Sequence, residues 1–384
     1  MSFDLDAVRS EFPILGRRTY LNSCSLGALS RRAEGRLDEF RELWHAMGAS
    51  AWYEHWLGRI EELRGRAAAF VGAEAAHVAL LPSTSVALAV VAESVGPGSD
   101  PPGGEGRNRI VTTELDFPTL VYQWTVRPDL EVVVLPSDDG VGVPVERFAD
   151  AVDERTLFLA TSHVYFSTGY VQDLAGLASV AHDAGALCLI DAYQGPGQVA
   201  VDVPTPGVDF FTWGPLKWLC GGPGLAYLWV RPELIGRLEP RITSWFATED
   251  QFAFDPRAFR YRPDARRFEM GTPALPTVHT ALGGQEILDE VGAVAVEERN
   301  RALTTRLVEG CREAGMELRI AADLDRRSAI VMVAHDDPSG AVAHLSRNGV
   351  IVDHRPGHVR ISPHFYNTGD EVDRVVRLLA GFGS

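Results

Sequence analysis

Seven short apolar runs recur through the first 230 residues, at 77–81, 109–113, 131–135, 157–161, 187–191, 210–213 and 225–230. Helix-like segments, such as 145–152 and 174–184, fill gaps between several of them. This alternation is the strongest constraint on the fold. Each run is too short for a helix and too apolar for a strand with one wet face, so the runs read as strands buried on both sides. Strands joined through helices return in the same direction, which predicts a mostly parallel sheet with helices on both faces. From residue 273 the pattern changes to a long helical stretch through 312, two apolar runs at 329–333 and 350–352, and a closing helix. With 384 residues the chain is long enough for a large domain over 20–272 and a smaller α/β domain made of 1–19 and 273–384. The Gly/Pro-rich segment 96–108 reads as an exposed loop within the large domain.

In such sheets ligands sit beyond the carboxyl ends of the strands. Asp191 closes the run 187–190, and Lys217 stands 26 positions later, after another run and before Gly221, Gly222 and Gly224. An aspartate and a lysine so placed meet the needs of pyridoxal 5'-phosphate (PLP). The lysine amine forms a Schiff base with the cofactor aldehyde, and the carboxylate keeps the pyridine nitrogen protonated. Either residue alone is commonplace, as a surface lysine or a helix-capping aspartate. Their order, spacing and glycine context carry the reading. Ser83, Thr84 and Ser85 join a strand to an apolar helix, where free N–H groups and hydroxyls make a phosphate site. A Walker loop and a G-x-G-x-x-G segment are both absent, so nucleotide readings fall away.

The net charge of −16 argues against a nucleic-acid or anionic-membrane partner, because phosphate surfaces are gripped by clustered Lys and Arg. The longest apolar region, 78–95, is interrupted by Pro82, Ser83, Thr84, Ser85 and Glu93 and does not read as a membrane span. The opening MSFDLDAVRSEF lacks a basic segment followed by an apolar one, so a cytoplasmic protein is expected. Four cysteines, at 24, 188, 220 and 311, lack metal-ligand or disulfide-framework spacing and read as reduced thiols. The histidines show no H-E-x-x-H pattern, so no metal is expected.

Several segments together resemble the class V aminotransferase family of fold type I PLP enzymes, in a kynureninase-like or isopenicillin N epimerase-like form. They are YLNSCSLGALS from Tyr20, Phe117-Pro118-Thr119, LKWLCGGPG around Lys217, WFATEDQFAFD from Trp245, and RFEMGTP from Arg267. The resemblance implies a large domain with a mixed, mostly parallel seven-stranded sheet and a smaller carboxyl-terminal α/β domain. It further implies that Lys217 is the Schiff-base lysine, Asp191 the pyridinium partner, and Gln194 a donor to the ring hydroxyl. Phe117 would stack on the ring, while Thr84 and Ser85 would hold the phosphate. Trp245 and Thr272 would help from the neighbouring subunit of a homodimer with shared active sites. Arg360, in VRISPHFYNT, matches the arginine that grips a substrate α-carboxylate, a bidentate role suited to guanidinium. His163 is expected near the cofactor, and Asn22 and Tyr20 on the substrate side.

The chain departs from kynureninases at Leu216, where they carry Tyr, and at Leu120, where they carry Asp. Tyr165 replaces the usual asparagine near the ring hydroxyl and is either a wall residue or a relocated proton donor. A desulfurase of the usual kind needs a mobile late cysteine, and none lies beyond Cys311. Cys220 reads as a small residue packed beside the glycine turn. The expected reaction is kynureninase-like: cleavage of a C–C or C–S bond beyond Cα of an amino acid by a lyase or hydrolase. A class V aminotransferase is the alternative, and epimerisation or decarboxylating oxidative deamination stays open on the same scaffold. A non-catalytic PLP-binding regulator is a different class, against which Lys217, Asp191 and Arg360 argue together.

Overall fold

The structure, a computed structural model, describes residues 3–95 and 106–382; residues 96–105 of the loop expected at 96–108 lie outside the described residues. In chain order the strands are β1 (Thr19–Tyr20), β2 (Val78–Leu81), β3 (Arg109–Thr113), β4 (Glu131–Leu135), β5 (Thr156–Ser162), β6 (Leu187–Asp191) and β7 (Phe210–Trp213). There follow β8 (Ala226–Val230), β9 (Leu318–Arg319), β10 (Val331–Ala334), β11 (Val350–Ile351), β12 (Asp353–Arg355) and β13 (His358–Ile361). All seven runs read from the sequence are strands of one sheet, ordered β2-β8-β7-β6-β5-β3-β4. Strand β8 alone runs against its neighbours; the pairs β7–β6, β6–β5, β5–β3 and β3–β4 are parallel.

Strand β6 shows why these runs carry no polar alternation. Leu187 and Leu189 enter one apolar cluster, with Leu88 and Val91 of the helix Thr84–Ser94 and Trp124 of the helix Pro118–Thr125. Cys188 and Ile190 enter the other, with Phe40, Ile60, Leu177 and Leu282 from four helices on the opposite face. Side chains point alternately to the two faces, both faces are covered, and so every position before the terminal Asp191 is apolar. Each fully buried Leu or Ile contributes about 1.5–3 kcal/mol.

The helical stretch expected over 273–312 is two helices, Leu275–Val291 and Ala293–Glu313. Gly292 separates them at φ 85°, a left-handed conformation that ends a helix and that glycine adopts without steric cost. The first of the pair packs in the same cluster as the large sheet. The second supplies Leu303, Leu307 and Val308 to another cluster, with Val331, Val359 and Ile361 of an antiparallel sheet ordered β12-β13-β10-β9. Residues 19–22 reach this second layer, whereas Phe12 packs in the cluster of the large sheet. Thr19 and Tyr20 pair in parallel with Val350 and Ile351, Asn22 bridges to Ser362, and Leu21 is buried in that cluster. The segment after β1 therefore crosses to the lysine loop, where the Gly27 N–H donates to the Leu216 carbonyl at 2.9 Å.

Candidate active site

A cleft of about 240 Å³ opens beyond the carboxyl ends of the parallel strands. Asp191 ends β6 and borders it, with Tyr193 and Gln194 from the following turn. Lys217 and Leu216 enter from the loop after β7. Ser83, Thr84 and Ser85 border it from the start of the helix Thr84–Ser94, and Phe117 and Thr119 from the start of the next. Strand β5 and its extension contribute by parity: Ser162, Val164 and Phe166 border the cleft, whereas His163 and Tyr165 point to the other face.

Lys217 is held in a loop packed at glycines. A Cβ at Gly27 would collide with the Lys217 carbonyl oxygen, and one at Gly197 would lie 2.8 Å from the Trp218 carbonyl carbon. The Lys217 amine stands 5.9 Å from the centroid of the Phe117 ring and 5.0 Å from that of Tyr193. Burial pushes its pKa down to about 8; Cys24 and Asp191 oppose that shift, and Arg360 and Arg355 add to it. A lysine so depressed supplies neutral amine near physiological pH, as a nucleophile requires. Asp191 is buried, accepts from the Tyr193 N–H at 3.0 Å, and is pushed up to about 6, chiefly by desolvation. A proton on a facing ring nitrogen would supply the partner that this carboxylate lacks.

Thr84 gives the fit test for the phosphate. Its hydroxyl is buried without a hydrogen-bond partner at the first residue of an 11-residue helix, and Ser83 already caps that helix by accepting from the Val86 N–H at 3.3 Å. An unsatisfied hydroxyl beside free helix N–H groups is the donor set of an anion site. The residues present fit PLP: Ser83 to Ser85 could hold its phosphate, Phe117 cover its ring, Asp191 meet its nitrogen and Lys217 its aldehyde. Gln194 is oriented but engaged: Nε2 donates to the Cys24 carbonyl at 2.9 Å, and Oε1 accepts from Trp218 Nε1 at 2.7 Å. The second Nε2 hydrogen is the one it could offer a ring hydroxyl.

Arg360, on β13, is buried beside this cleft rather than on its surface. Nη1 donates to the Phe166 carbonyl at 3.0 Å, and Nη2 to Ser25 Oγ at 2.7 Å and to Asp353 Oδ2 at 2.8 Å. Its Nε is buried without a partner.

Besides Arg360, six expected site residues lie outside the cleft lining. His163 is buried beside Phe211, and desolvation lowers its pKa to about 4, so it is a neutral imidazole of the interior. The Tyr165 hydroxyl accepts from Gln172 Nε2 at 2.6 Å and lies 3.3 Å from Thr161 Oγ1, which makes it a wall residue rather than a proton donor to the cleft. Tyr20 is buried with its hydroxyl on the Leu26 carbonyl at 2.6 Å, and Asn22 Oδ1 accepts from Cys24 Sγ at 3.8 Å; neither residue borders the cleft. Trp245 packs on Phe254 at 5.7 Å, with its indole N–H on the Gln251 carbonyl, and Thr272 is exposed.

Sequence reasoning missed Asp116. Wholly enclosed, it accepts from Thr112, Thr113 and Thr161 hydroxyls, from the Ser162 hydroxyl at 2.7 Å, and from the N–H groups of Thr113 and Ser162. It ties the ends of β3 and β5 together immediately before Phe117. The signal was a threonine pair, Thr112-Thr113, at a strand end followed by Asp, a weak one in isolation.

Fold and cleft together define a PLP-dependent enzyme of fold type I. The chain belongs to the class V aminotransferase family, whose profile matches residues 37–375. It is 32% identical over 372 residues to the uncharacterized aminotransferase YcbU of Bacillus subtilis (strain 168), covering 97% of this chain and 96% of that one. It is 28% identical over 389 residues to kynureninase of Geobacillus thermodenitrificans (strain NG80-2), covering 97% and 90%. Among solved structures, the cystine C-S lyase C-DES in complex with its reaction product cysteine persulfide superposes with a TM-score of 0.88 at 19% identity, over 97% of this chain and all of that one. The cofactor is pyridoxal 5'-phosphate. Among the described residues no helix is long and apolar enough to cross a membrane.

Proposed function

We propose that the protein is a lyase that breaks a bond beyond Cα of an amino acid, with Lys217 as its base and a C–S bond as the preferred target. PLP, when bound, supplies an electron sink for carbanion chemistry at Cα. The observation that carries the reading is how few proton carriers border the cleft among the described residues: Asp191, Tyr193 and Lys217. Burial, and next the Asp191 charge, drive the Tyr193 pKa far above neutrality, and Asp191 would be held by the ring nitrogen. Lys217 alone is left to take the Cα proton and to return one. A thiolate leaves without help from an acid, so one base suffices for C–S cleavage. Hydrolytic C–C cleavage, the reaction of a kynureninase, needs a second group to handle water, and Tyr165 is sealed away from that task. Leu216 in the cleft removes a further polar group from the kynureninase pattern.

Aminotransfer is the second reading. It too needs only one lysine to carry a proton between two atoms, and the 32% identical relative bears an aminotransferase name. The test starts with the absorbance of purified protein and PLP, wild type beside Lys217→Ala; a visible band that requires Lys217 is expected. Cysteine conjugates, kynurenine and alanine are then supplied with and without a 2-oxo acid. Release of a thiol and pyruvate without acceptor is the expected result, whereas turnover only with acceptor would establish the aminotransferase.

The same proposal includes a homodimer in which Trp245 and Thr272 reach the neighbour's phosphate site. Their exposure, and the aromatic cluster Trp245, Phe252 and Phe254 standing clear of this chain's own cleft, favour it. Light scattering at a single-chain mass would overturn it.

A further inference from the structure

Beside the cleft lies a second charged group, apart from Lys217 and Asp191. Asp353 and Arg360 are cross-strand partners on β12 and β13, and Arg355 lies two residues along β12 from Asp353. Period-two geometry puts all three side chains on one face of the sheet. Asp353 Oδ2 is the common acceptor: Arg360 Nη2 donates to it at 2.8 Å, Arg355 Nη1 at 2.8 Å, and Ser25 Oγ at 3.1 Å. The Arg355 guanidinium lies 5.9 Å from the centroid of the Phe166 ring, and Arg360 binds the Phe166 carbonyl. Phe166 borders the cleft and meets Phe117 edge-on at 5.2 Å.

Two guanidinium groups and one carboxylate leave one positive charge. A single incoming carboxylate neutralises the group, and the unpartnered Nε of Arg360 is a donor left to receive it. A second carboxylate would put a negative excess beside Phe117, Val164, Phe166 and Leu216, which offer it no donor. Without Asp353 the pair of arginines would suit a diacid.

We propose that Asp353 sets the substrate class: paired with both Arg355 and Arg360, it leaves the group a single positive charge, enough for one α-carboxylate, so the enzyme takes amino acids with uncharged side chains and rejects acidic ones. Arg355 and Asp353 are thus specificity-determining residues, acting through Arg360 and not on the reacting atoms. The proposal rests on the reading of the cleft as a PLP site for amino acids.

The test uses the PLP-loaded enzyme and two ligands of equal chain length, L-norvaline and L-glutamate. Dissociation constants come from the shift of the cofactor absorption band, so no turnover is needed. Wild type is expected to bind norvaline more tightly by about tenfold or more, since like-charge juxtaposition is heavily penalised. Asp353→Asn should bring that ratio toward one or reverse it, and Arg355→Gln should widen it. The two variants move it in opposite directions, which a merely loosened site would not do. Equal binding of the two ligands by wild type, or a ratio unmoved by Asp353→Asn, overturns the proposal. Should Asp353→Asn fail to fold, a ratio that Arg355→Gln leaves unchanged or narrows overturns it equally. Absence of any Lys217-dependent band is a separate result, seen before an amino acid is added, and it would remove the PLP reading instead.

Discussion

Trp218 Nε1 donates to Gln194 Oε1 at 2.7 Å, so the residue after Lys217 is tied to the turn that follows Asp191. Gln194 Nε2 extends the tie to the Cys24 carbonyl, and His364 Nε2 lies 2.9 Å from the Trp218 carbonyl. Four segments distant in sequence therefore fix one lysine. Trp218→Phe keeps the ring and removes the donor, leaving a buried amide oxygen unsatisfied at a cost of about 1–3 kcal/mol. Affinity of the cofactor-free protein for PLP should fall roughly tenfold, the equivalent of about 1.4 kcal/mol. A PLP titration that shows no change would remove the clamp from the account.

The two central ionisable groups give opposite pH signatures in the cofactor-free protein. The Lys217 pKa falls from 10.5 to about 8, because burial disfavours the ammonium. Between those values the unfolded chain holds a proton that the folded one lacks, so stability rises with pH from about 8 upward. The Asp191 pKa rises from 3.8 to about 6, mainly by burial. There the folded chain holds the extra proton, and stability falls as pH climbs across that window. Melting temperature against pH should show both limbs, and PLP capture should accelerate through about pH 8 as the amine loses its proton.

Asp191→Asn separates the two uses of that carboxylate. It removes a buried group that opposes folding near neutrality, and the amide oxygen can still accept from the Tyr193 N–H. The cofactor-free variant should melt at or above wild type at pH 7. Turnover should nevertheless drop by roughly a hundredfold or more, because no charge remains to hold the ring nitrogen protonated. A variant that loses stability and activity in parallel would point to a purely structural carboxylate.

The large sheet was legible because most of its strands are buried on both faces, which leaves period and composition unambiguous: 109–113, 187–191 and 210–213 coincide with observed strands, and so does 131–135, although at the sheet edge it is only partly buried and Val134 is exposed. The break at Gly292 was not, since a left-handed φ leaves no mark in hydrophobic spacing and glycines also occur inside helices, as at Gly283 and Gly284. That Asp191 ends a strand and Lys217 follows one was readable from local context. The β5 extension stayed open because resemblance identifies positions but not their faces. Counting in twos from Ser162 puts Val164 and Phe166 with it and sends His163 and Tyr165 inward. The Asp353–Arg355–Arg360 group depends on strand register, which no local motif encodes.

Tyr165 tests that parity argument. Its hydroxyl is spent on Gln172 and Thr161, and its ring stacks on Tyr170 with centroids 6.2 Å apart. Tyr165→Phe should leave kcat and KM within about twofold of wild type while lowering stability by about 1 kcal/mol, the usual worth of a buried hydrogen bond. A large fall in kcat with an unchanged melting temperature would return Tyr165 to the chemistry.

Gly27 and Gly35 offer the same substitution with opposite consequences. Gly35 lies exposed within the helix Arg31–Met47, and an added Cβ there meets nothing within 4 Å. Alanine should stabilise it by about 1 kcal/mol through helix propensity. At Gly27 the same methyl would strike the Lys217 carbonyl oxygen and lie 2.8 Å from the Cys220 Cα, backbone atoms that cannot turn aside as a side chain can. The Gly27 φ is not in the left-handed region, so space and not backbone conformation excludes alanine there. The lysine loop would have to retreat from the segment that follows β1, carrying the Lys217 amine away from Asp191. Gly27→Ala should therefore weaken PLP retention more than tenfold, even in chains that still fold, and Gly35→Ala should not affect it. Melting curves and cofactor dissociation rates on the two proteins would decide it: equal retention would mean that the loop tolerates displacement and that close packing does not set the position of the lysine.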